Sequence, residues 1–561
     1  MKIKTSTIIL DWKDWGVEAQ GAKLFVNPTM KFTTGAQLVI DIENNLDGSC
    51  AGIGLTDDGE RILFYTADTV NGWDKEVFKG TKLVGHNIKY DVQMLRKWGF
   101  NVEPDQISWD TQLAEYVRDS TRFKFGLKVL VGELFGVTYP DYKSIAGTGK
   151  KAQSIGECDP VLVANYCGND VLFTYRLWQK QLKELTDEQK DYLQHMELPT
   201  QRALLEMEER GVQIDTGHIR DIDHRFAADI ERVVAGIRSL SPSEVNLNSP
   251  VQVKQLLLEQ AGLRLDSTGA EVLKDHAGLP LVKSILRYRE LSKLKSTYTN
   301  RIIEESQGRD TFRLKARFNQ TATDTGRLSS SDPNLQNIPT RTEEGDSIRK
   351  GFVAAPGNVL VDADYSQIEP RLMAHLSKDK ALCAVFIDGK DLYDAVAALV
   401  GCDRKTAKIL WLAMAYNAGA YKISQTANIR RSDAEVFLTR MKLAFPEFFY
   451  WRSRVIAEAE VNTGVITMFG RFIRLDREFA HNAPNYMVQG SAAEVMKMAL
   501  VATRPLPGVM TVHDELVFEL PEAEASNTVP HIKQEMENVV ELSVPLIVEV
   551  GIGANWSEAK K

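Results

Sequence analysis

Residues 359–371 read VLVDADYSQIEPR and residues 510–520 read MTVHDELVFEL, and these two stretches decide the fold. In each, an apolar, β-branched run leads to a carboxylate, Asp364 in the first and Asp514 in the second. Such runs predict strands, so each carboxylate is expected at a strand end or a hairpin tip. Two acidic groups brought together there can hold a pair of Mg²⁺ ions, which suits in-line phosphoryl transfer to a hydroxyl. Carboxylates end many strands, so the surrounding sequence has to carry the case.

Upstream, TGRLSSSDPNLQNIPTR (325–341) is rich in hydroxyls and amides and carries Arg327 and Arg341. Its Pro and Asn residues favour turned or extended backbone. Such a strip suits sugar-phosphate contacts, which position a duplex without reading it; a polar surface loop is the plainer alternative. After Asp364, Ser366 and Glu369 have the spacing of a capping box, which would give Glu369 a structural duty. In RKTAKILWLAMAYNAG (404–419), Arg404, Lys408, Leu412 and Tyr416 recur every four residues. That stripe covers about 18 Å of one helix face, with two cations leading an apolar and an aromatic group; a solvated helix also shows basic stripes. Asn485 and Gln489 lie one turn apart, fit for minor-groove acceptors that are alike for all base pairs.

A second constellation lies near the start of the chain. LVIDIE (38–43) alternates Asp41 and Glu43 onto one face of a strand. NIKYD (87–91) sets Asn87 and Asp91 a turn apart, with Asn87 in the N-cap position. YCGND (166–170) puts Tyr166 and Asp170 on one helical face. Metal-assisted phosphodiester hydrolysis wants such a set: carboxylates hold two Mg²⁺ or Mn²⁺ ions roughly 3.5–4 Å apart, and a tyrosine hydroxyl orients the attacking water. Taken singly, each residue reads equally well as a surface or capping group.

The early segments resemble the three exonuclease motifs of the DEDD superfamily, in its tyrosine-containing subclass. The later ones resemble the motifs of family A DNA polymerases, from ELPTQRALLEMEERGVQID (197–215) to VGIGANW (550–556). The resemblance implies an α/β, ribonuclease H-like 3′→5′ exonuclease domain over 1–187, a mixed sheet flanked by helices. An α+β right-hand polymerase domain over 188–561 is expected to follow. Its thumb would occupy about 195–315, its fingers about 376–464, and its palm about 316–375 and 465–561. The family's exonuclease metal ligands carry over to Asp41, Glu43, Asp91 and Asp170, and its water-orienting tyrosine to Tyr166. Asp110 also matches a family acidic position, or caps the helix it opens. In the polymerase, Asp364, Asp514 and the Tyr365 carbonyl are implied to hold the metals, with Glu515 supporting. Arg404 and Lys408 would bind phosphates, Lys408 protonating the leaving pyrophosphate. Leu412, Tyr416, Glu369, Gln367 and Tyr393 would surround the nucleotide, Glu369 excluding a 2′-hydroxyl. Arg327, Gln336, Asn337, Asn485, Gln489 and His513 would hold primer-template DNA.

Several positions depart from the family pattern. Leu412 replaces the usual aromatic residue, Pro370 a leucine, Tyr393 a frequent histidine, His481 a frequent arginine, and Asn417 a glycine. Together with the absence of room for a 5′-nuclease domain, they suggest a phage-type enzyme. The rival readings are a stand-alone exonuclease, a non-catalytic replisome scaffold, and a polymerase working on or making RNA.

Bulk properties agree. A chain of 561 residues exceeds one ordinary core. No apolar run approaches the roughly 20 residues of a membrane span, and the N-terminus does not read as a signal peptide. Five cysteines with no C-x-x-C pair exclude zinc ribbons and a disulfide framework and fit a reducing cytoplasm, that of a bacterial host if phage-encoded. The formal net charge of −8 does not exclude a nucleic-acid partner, because a basic channel can coexist with acidic outer faces. The expected enzyme is a monomer using two Mg²⁺ per active site, with Mn²⁺ as substitute, acting on deoxynucleoside triphosphates and DNA.

Overall fold

The computed structural model describes residues 8–10, 22–28, 37–149, 152–240, 245–340 and 342–560. Arg341 and most of the N-terminal segment lie outside the described residues. Strands β1 (Ile8–Leu10), β2 (Lys23–Val26), β3 (Gln37–Asn44), β4 (Cys50–Thr56), β5 (Arg61–Thr66), β6 (Lys82–Gly85) and β7 (Ile107–Asp110) form a seven-stranded mixed sheet. Its order is β1-β2-β5-β4-β3-β6-β7, so β3 lies inside the sheet with β4 antiparallel and β6 parallel to it. Every residue of β4 is buried, as expected of a strand covered on both faces. The helix Pro160–Glu184 packs across β3, β4 and β5. It comes close because Gly54 has no side chain; a Cβ there would stand 2.7 Å from the Cys167 sulfur.

The rest of the chain builds several smaller sheets. Strands β8 (Val212–Asp215), β9 (Thr311–Leu314) and β12 (Phe352–Val353) pair in the order β12-β8-β9. Strands β10 (Arg317–Asn319) and β11 (Ser329–Ser331) form a ribbon, as do β14 (Gly464–Ile466) and β15 (Phe472–Arg474). Strands β13 (Asn358–Tyr365), β16 (Gly508–Val512), β17 (Glu515–Pro521) and β18 (Val548–Gly553) form an antiparallel sheet ordered β16-β17-β13-β18. Among the described residues the run 190–310 is mostly helical, interrupted by the strand Val212–Asp215. Four residues of alternating burial gave too short a pattern to stand out beside long helices.

One large core joins residues between Ala203 and Ala559; another joins residues between Ala22 and Leu205. A small separate core lies among the helices of residues 216–294. Buried charge stitches the two large units together. Lys497 and Glu197 are both fully buried and meet at 2.6 Å, with Gln320 donating to the second Glu197 oxygen at 2.7 Å. Lys89 donates to Glu208 and to the Phe318 carbonyl, each at 2.5 Å. Arg471 pairs with Glu494 at 3.7 Å and donates to the carbonyls of Asp324 and Thr325. The hydroxyls of Tyr116 and Ser120, from the first unit, donate to Thr323 and Asp324 carbonyls at 2.7 and 3.0 Å. A buried pair of this kind is costly to break, about 3–5 kcal/mol when one partner is lost.

Candidate active sites

On the seven-stranded sheet, Asp41 and Glu43 point to the same side of β3, as period two requires. Oxygens of both lie within 4.8 Å of each other and of the Cys167 sulfur. Asp91, in the helix Ile88–Lys97, is buried and accepts from the Ile42 amide at 3.1 Å. Asp170 enters from the helix Pro160–Glu184 on the turn after Tyr166. Burial, followed by the charge of Asp170, pushes the Asp41 carboxyl up to about 8. Burial and then Asp41 push Glu43 and Asp91 well above the usual carboxylate range. Burial raises the Tyr166 phenol further still. Crowded carboxylates that resist ionisation together are what a divalent cation relieves, and an all-oxygen set suits a hard ion. The residues present therefore fit a hard divalent cation.

Two residues here escaped the sequence reading. Lys128 donates to both Asp170 oxygens at 2.9 Å and lies 4.4 Å from the Tyr166 ring centre. Tyr139 donates to Asp170 at 2.7 Å. Neither belongs to a spaced motif, so only the fold brings them in. Two helix-end expectations also change. Asn87 occupies the N-cap position in a left-handed conformation but makes no capping bond. Asp110 does that work: it accepts from the amides of Asn87, Ile88, Gln112 and Leu113 and from Gln201. It joins two helix N-termini.

The second cluster forms on the four-stranded sheet. Asp364 is the penultimate residue of β13 and stands opposite Glu515 of β17 on one side and Glu549 of β18 on the other. Asp514 occupies the two-residue turn between β16 and β17, next to His513, whose φ of 54° closes the turn. The Asp514 carbonyl accepts from the Tyr365 amide at 3.1 Å. The Tyr365 side chain points away, donating to the Met536 carbonyl at 2.5 Å. Burial and then Asp514 push Asp364 up to about 6, and burial raises Asp514 too. The fit to a divalent cation is again one of crowded oxygens, Asp364 and Asp514 half-buried beside the buried Glu515. Burial, then Arg327, lowers His513.

Glu369 does not cap its helix. The helix Ile368–Ser377 starts after Gln367, whose φ of 56° breaks the geometry a Ser366–Glu369 box needs. Glu369 instead accepts from Arg327 on one oxygen and from the Tyr416 hydroxyl on the other. Tyr416 also meets Gln489. A pocket beside Arg327 is lined by Gln336, Ile368, Met496, His513 and Asp514 among others. Arg404, Lys408 and Leu412 follow one face of the helix Arg404–Ala415, with Tyr416 just past its end. Arg404 donates to both Asp391 oxygens, at 3.2 and 2.7 Å, and Gln367 to one at 2.9 Å. Lys408 lies 5.3 Å from the Tyr393 ring centre. Asn485 is partly buried with an unpartnered oxygen, and Asn337 is exposed.

The family model for DNA polymerase family A matches residues 216–558, more than half of the sequence. The chain belongs to DNA polymerase family A. A 3′-5′ exonuclease model matches residues 63–186, beginning downstream of Asp41 and Glu43. Among relatives, a thermostable DNA polymerase I from Thermus filiformis is 40% identical over 428 residues, covering 70% of this chain and 51% of its own. DNA polymerase I from Pseudomonas aeruginosa is 34% identical over 521 residues, covering 85% and 56%. The chain thus spans about half the length of the curated relatives it matches. A solved structure, the POL domain of Pol1 from M. smegmatis in complex with DNA primer-template and dNTP, superposes with a TM-score of 0.78. Its sequence is 27% identical, and 94% of this chain and 97% of that one are covered.

Against this family background, two departures have a physical reason. Asn417 sits at φ 63°, a conformation glycine adopts freely and asparagine tolerates, so the exchange leaves the turn intact. Pro370 lies in the first turn of its helix, where its missing N–H costs no bond. No described helix is long and apolar enough to cross a membrane.

Proposed function

We propose that this chain is a DNA-templated DNA polymerase that extends primer 3′ ends with deoxynucleotides and edits them through a separate 3′→5′ exonuclease site. Asp364, Asp514 and Glu515 meeting beside the Arg327–Glu369–Tyr416 group is the observation that carries the reading. An acidic centre beside a pocket lined by Arg327, His513 and Asp514 supports it. We assign residues 1–187 to editing and 188–561 to synthesis, with the thumb, palm and fingers bounded as the sequence suggests.

When bound, a pair of Mg²⁺ ions would supply charge neutralisation and lower the pKa of the attacking hydroxyl or water. Asp364, Asp514 and the Tyr365 carbonyl hold them, Glu515 fixing the geometry from below. Arg404 and Lys408 take the triphosphate, and Lys408 gives a proton to pyrophosphate. Glu369, braced by Tyr416, crowds the 2′ position of an incoming sugar, while Gln367, Leu412 and Tyr393 line the rest. Arg327, Gln336, Asn337, Asn485, Gln489 and His513 hold the primer-template. Asp41, Glu43, Asp91 and Asp170 serve the editing reaction, and Tyr166 orients its water. Catalysis in both sites is positioning and electrostatics. The chain acts as a monomer in the cytoplasm. The expectation of a phage source finds no support among relatives that are bacterial.

A 5′-labelled primer with one mismatched 3′ nucleotide, annealed to DNA in Mg²⁺, tests both sites together. Shortening without deoxynucleotides and full extension with them is expected, and Asp364→Asn should abolish only the extension. Extension that persists in Asp364→Asn would overturn the assignment.

A further inference from the structure

Lys560, immediately after the short helix Trp556–Ala559, brings its ammonium onto Glu515 and to 3.6 Å from Asp364. The turn that delivers it is tight: a Cβ on Gly553 would stand 2.5 Å from the Ala559 amide nitrogen. Trp556 secures it, donating to the other Glu515 oxygen at 3.0 Å. Among the described residues no other cation forms an ion pair with Asp364 or Glu515. A monovalent cation on a flexible stem thus sits where the proposed site would gather divalent charge.

Two residues before Asp364, on the same face of β13, is Asp362. It is 2% exposed, and neither carboxylate oxygen has a hydrogen-bond partner. Leaving a buried carboxylate unmet is costly. Arg349 is the other nearby cation: its guanidinium lies over the Trp556 ring and donates to the Thr340 carbonyl through one nitrogen, its Nε and Nη1 are themselves unpartnered, and among the described residues it forms no ion pair with Asp362. Side chains two positions apart on a strand are separated by about 7 Å, a distance a four-carbon stem can swing through.

We propose that Lys560 is a positioning residue with two resting places: Glu515 and Asp364 in the metal-free enzyme, and Asp362 once metal is held. This rests on reading Asp364, Asp514 and Glu515 as the metal-holding set. In the first position the ammonium screens carboxylates that would otherwise repel one another and splay. In the second it leaves the site without leaving the cluster, and Asp362 gains the partner it lacks. The cost of displacing Lys560 sets the metal concentration at which the polymerase site fills.

The test is a Mn²⁺ titration of the full chain without DNA, followed by electron paramagnetic resonance, in a background where Asp41→Ala and Glu43→Ala silence the other site. Lys560→Met should tighten binding about fivefold or more, and Lys560→Arg should stay within about twofold of the parent. Asp362→Asn should weaken binding about fivefold with Lys560 present and less than about twofold alongside Lys560→Met, because the two residues act as one unit. Lys560→Gln repeats the comparison with a polar neutral side chain, should the methionine variant fold poorly. Unchanged or weaker binding in the neutral variants, or simple additivity with Asp362→Asn, overturns the two-position role. Asp514→Asn is the control for the site itself: if it leaves Mn²⁺ binding untouched, the metal-site reading falls first.

Discussion

The Tyr416 hydroxyl donates to the Glu369 carboxylate. The bond joins the end of one helix to the first turn of another and holds Glu369 away from its own helix terminus. Removing the carboxylate should open the pocket at the sugar. Glu369→Ala is expected to raise ribonucleotide incorporation relative to deoxyribonucleotide by about 10–100-fold, the range a single steric or hydrogen-bond contact controls. Single-nucleotide insertion kinetics with paired ribo- and deoxyribonucleotides would measure it; an unchanged ratio would show that Glu369 does not face the sugar.

Leu412 lies on the helix face that also carries Lys408 and Tyr416. A tyrosine there would bring a hydroxyl that can replace a missing 3′-hydroxyl contact. Leu412→Tyr should increase dideoxynucleotide incorporation by about tenfold, worth one hydrogen bond of about 1–1.5 kcal/mol. Chain-termination ladders read the change directly.

The editing site predicts a pH dependence of stability. Asp41 is held up to about 8 in the folded chain against an ordinary 3.8. Between those values the folded state keeps a proton that the unfolded chain has lost. Stability of the metal-free protein therefore falls as pH rises through that window. Calorimetry in EDTA should show the midpoint dropping between pH 5 and 8, as read from those two values. Mn²⁺ should reverse the slope, since an ion favours the ionised carboxylates. An Asp41→Asn chain should lose part of the EDTA slope, the raised Glu43 and Asp91 carboxyls keeping the rest.

Asp110 accepts from four backbone amides and one side chain while fully buried. Asp110→Ala strands two helix N-termini at once and should cost about 3 kcal/mol, the sum of two capping losses and buried unmet donors. Urea denaturation measures it. Asp110→Asn should recover part of the loss, because one oxygen acceptor remains.

Much of the fold and site was legible where pattern and chemistry coincide locally. Period two put Asp41 and Glu43 on one face, and a β-branched run placed Asp364 near the end of β13. The four-residue stripe from Arg404 survived as a helix face. Reading failed where a local rule met a backbone exception: Gln367 adopts a left-handed conformation, so the Ser366–Glu369 spacing no longer describes a helix start. It also failed where a partner comes from a distant element. Lys128, Tyr139 and Lys560 touch the clusters through tertiary folding alone, and no spacing within their own segments marks them. Strand Val212–Asp215 was hidden for a similar reason, since its pairing partners lie about a hundred residues downstream and beyond.

The loop at Thr323–Thr325 is gripped from one side by Tyr116 and Ser120 and from the other by Arg471. It leads straight into Arg327. For protein engineering, this makes the N-terminal unit, with its seven-stranded sheet, a foundation for the rest of the chain and not a detachable module. Trimming the first 187 residues would strip acceptor carbonyls of their donors and leave Glu208 facing solvent without Lys89 and Gln93. An editing-deficient enzyme from this chain is best made by substitution at Asp41 and Glu43, with the scaffold left whole.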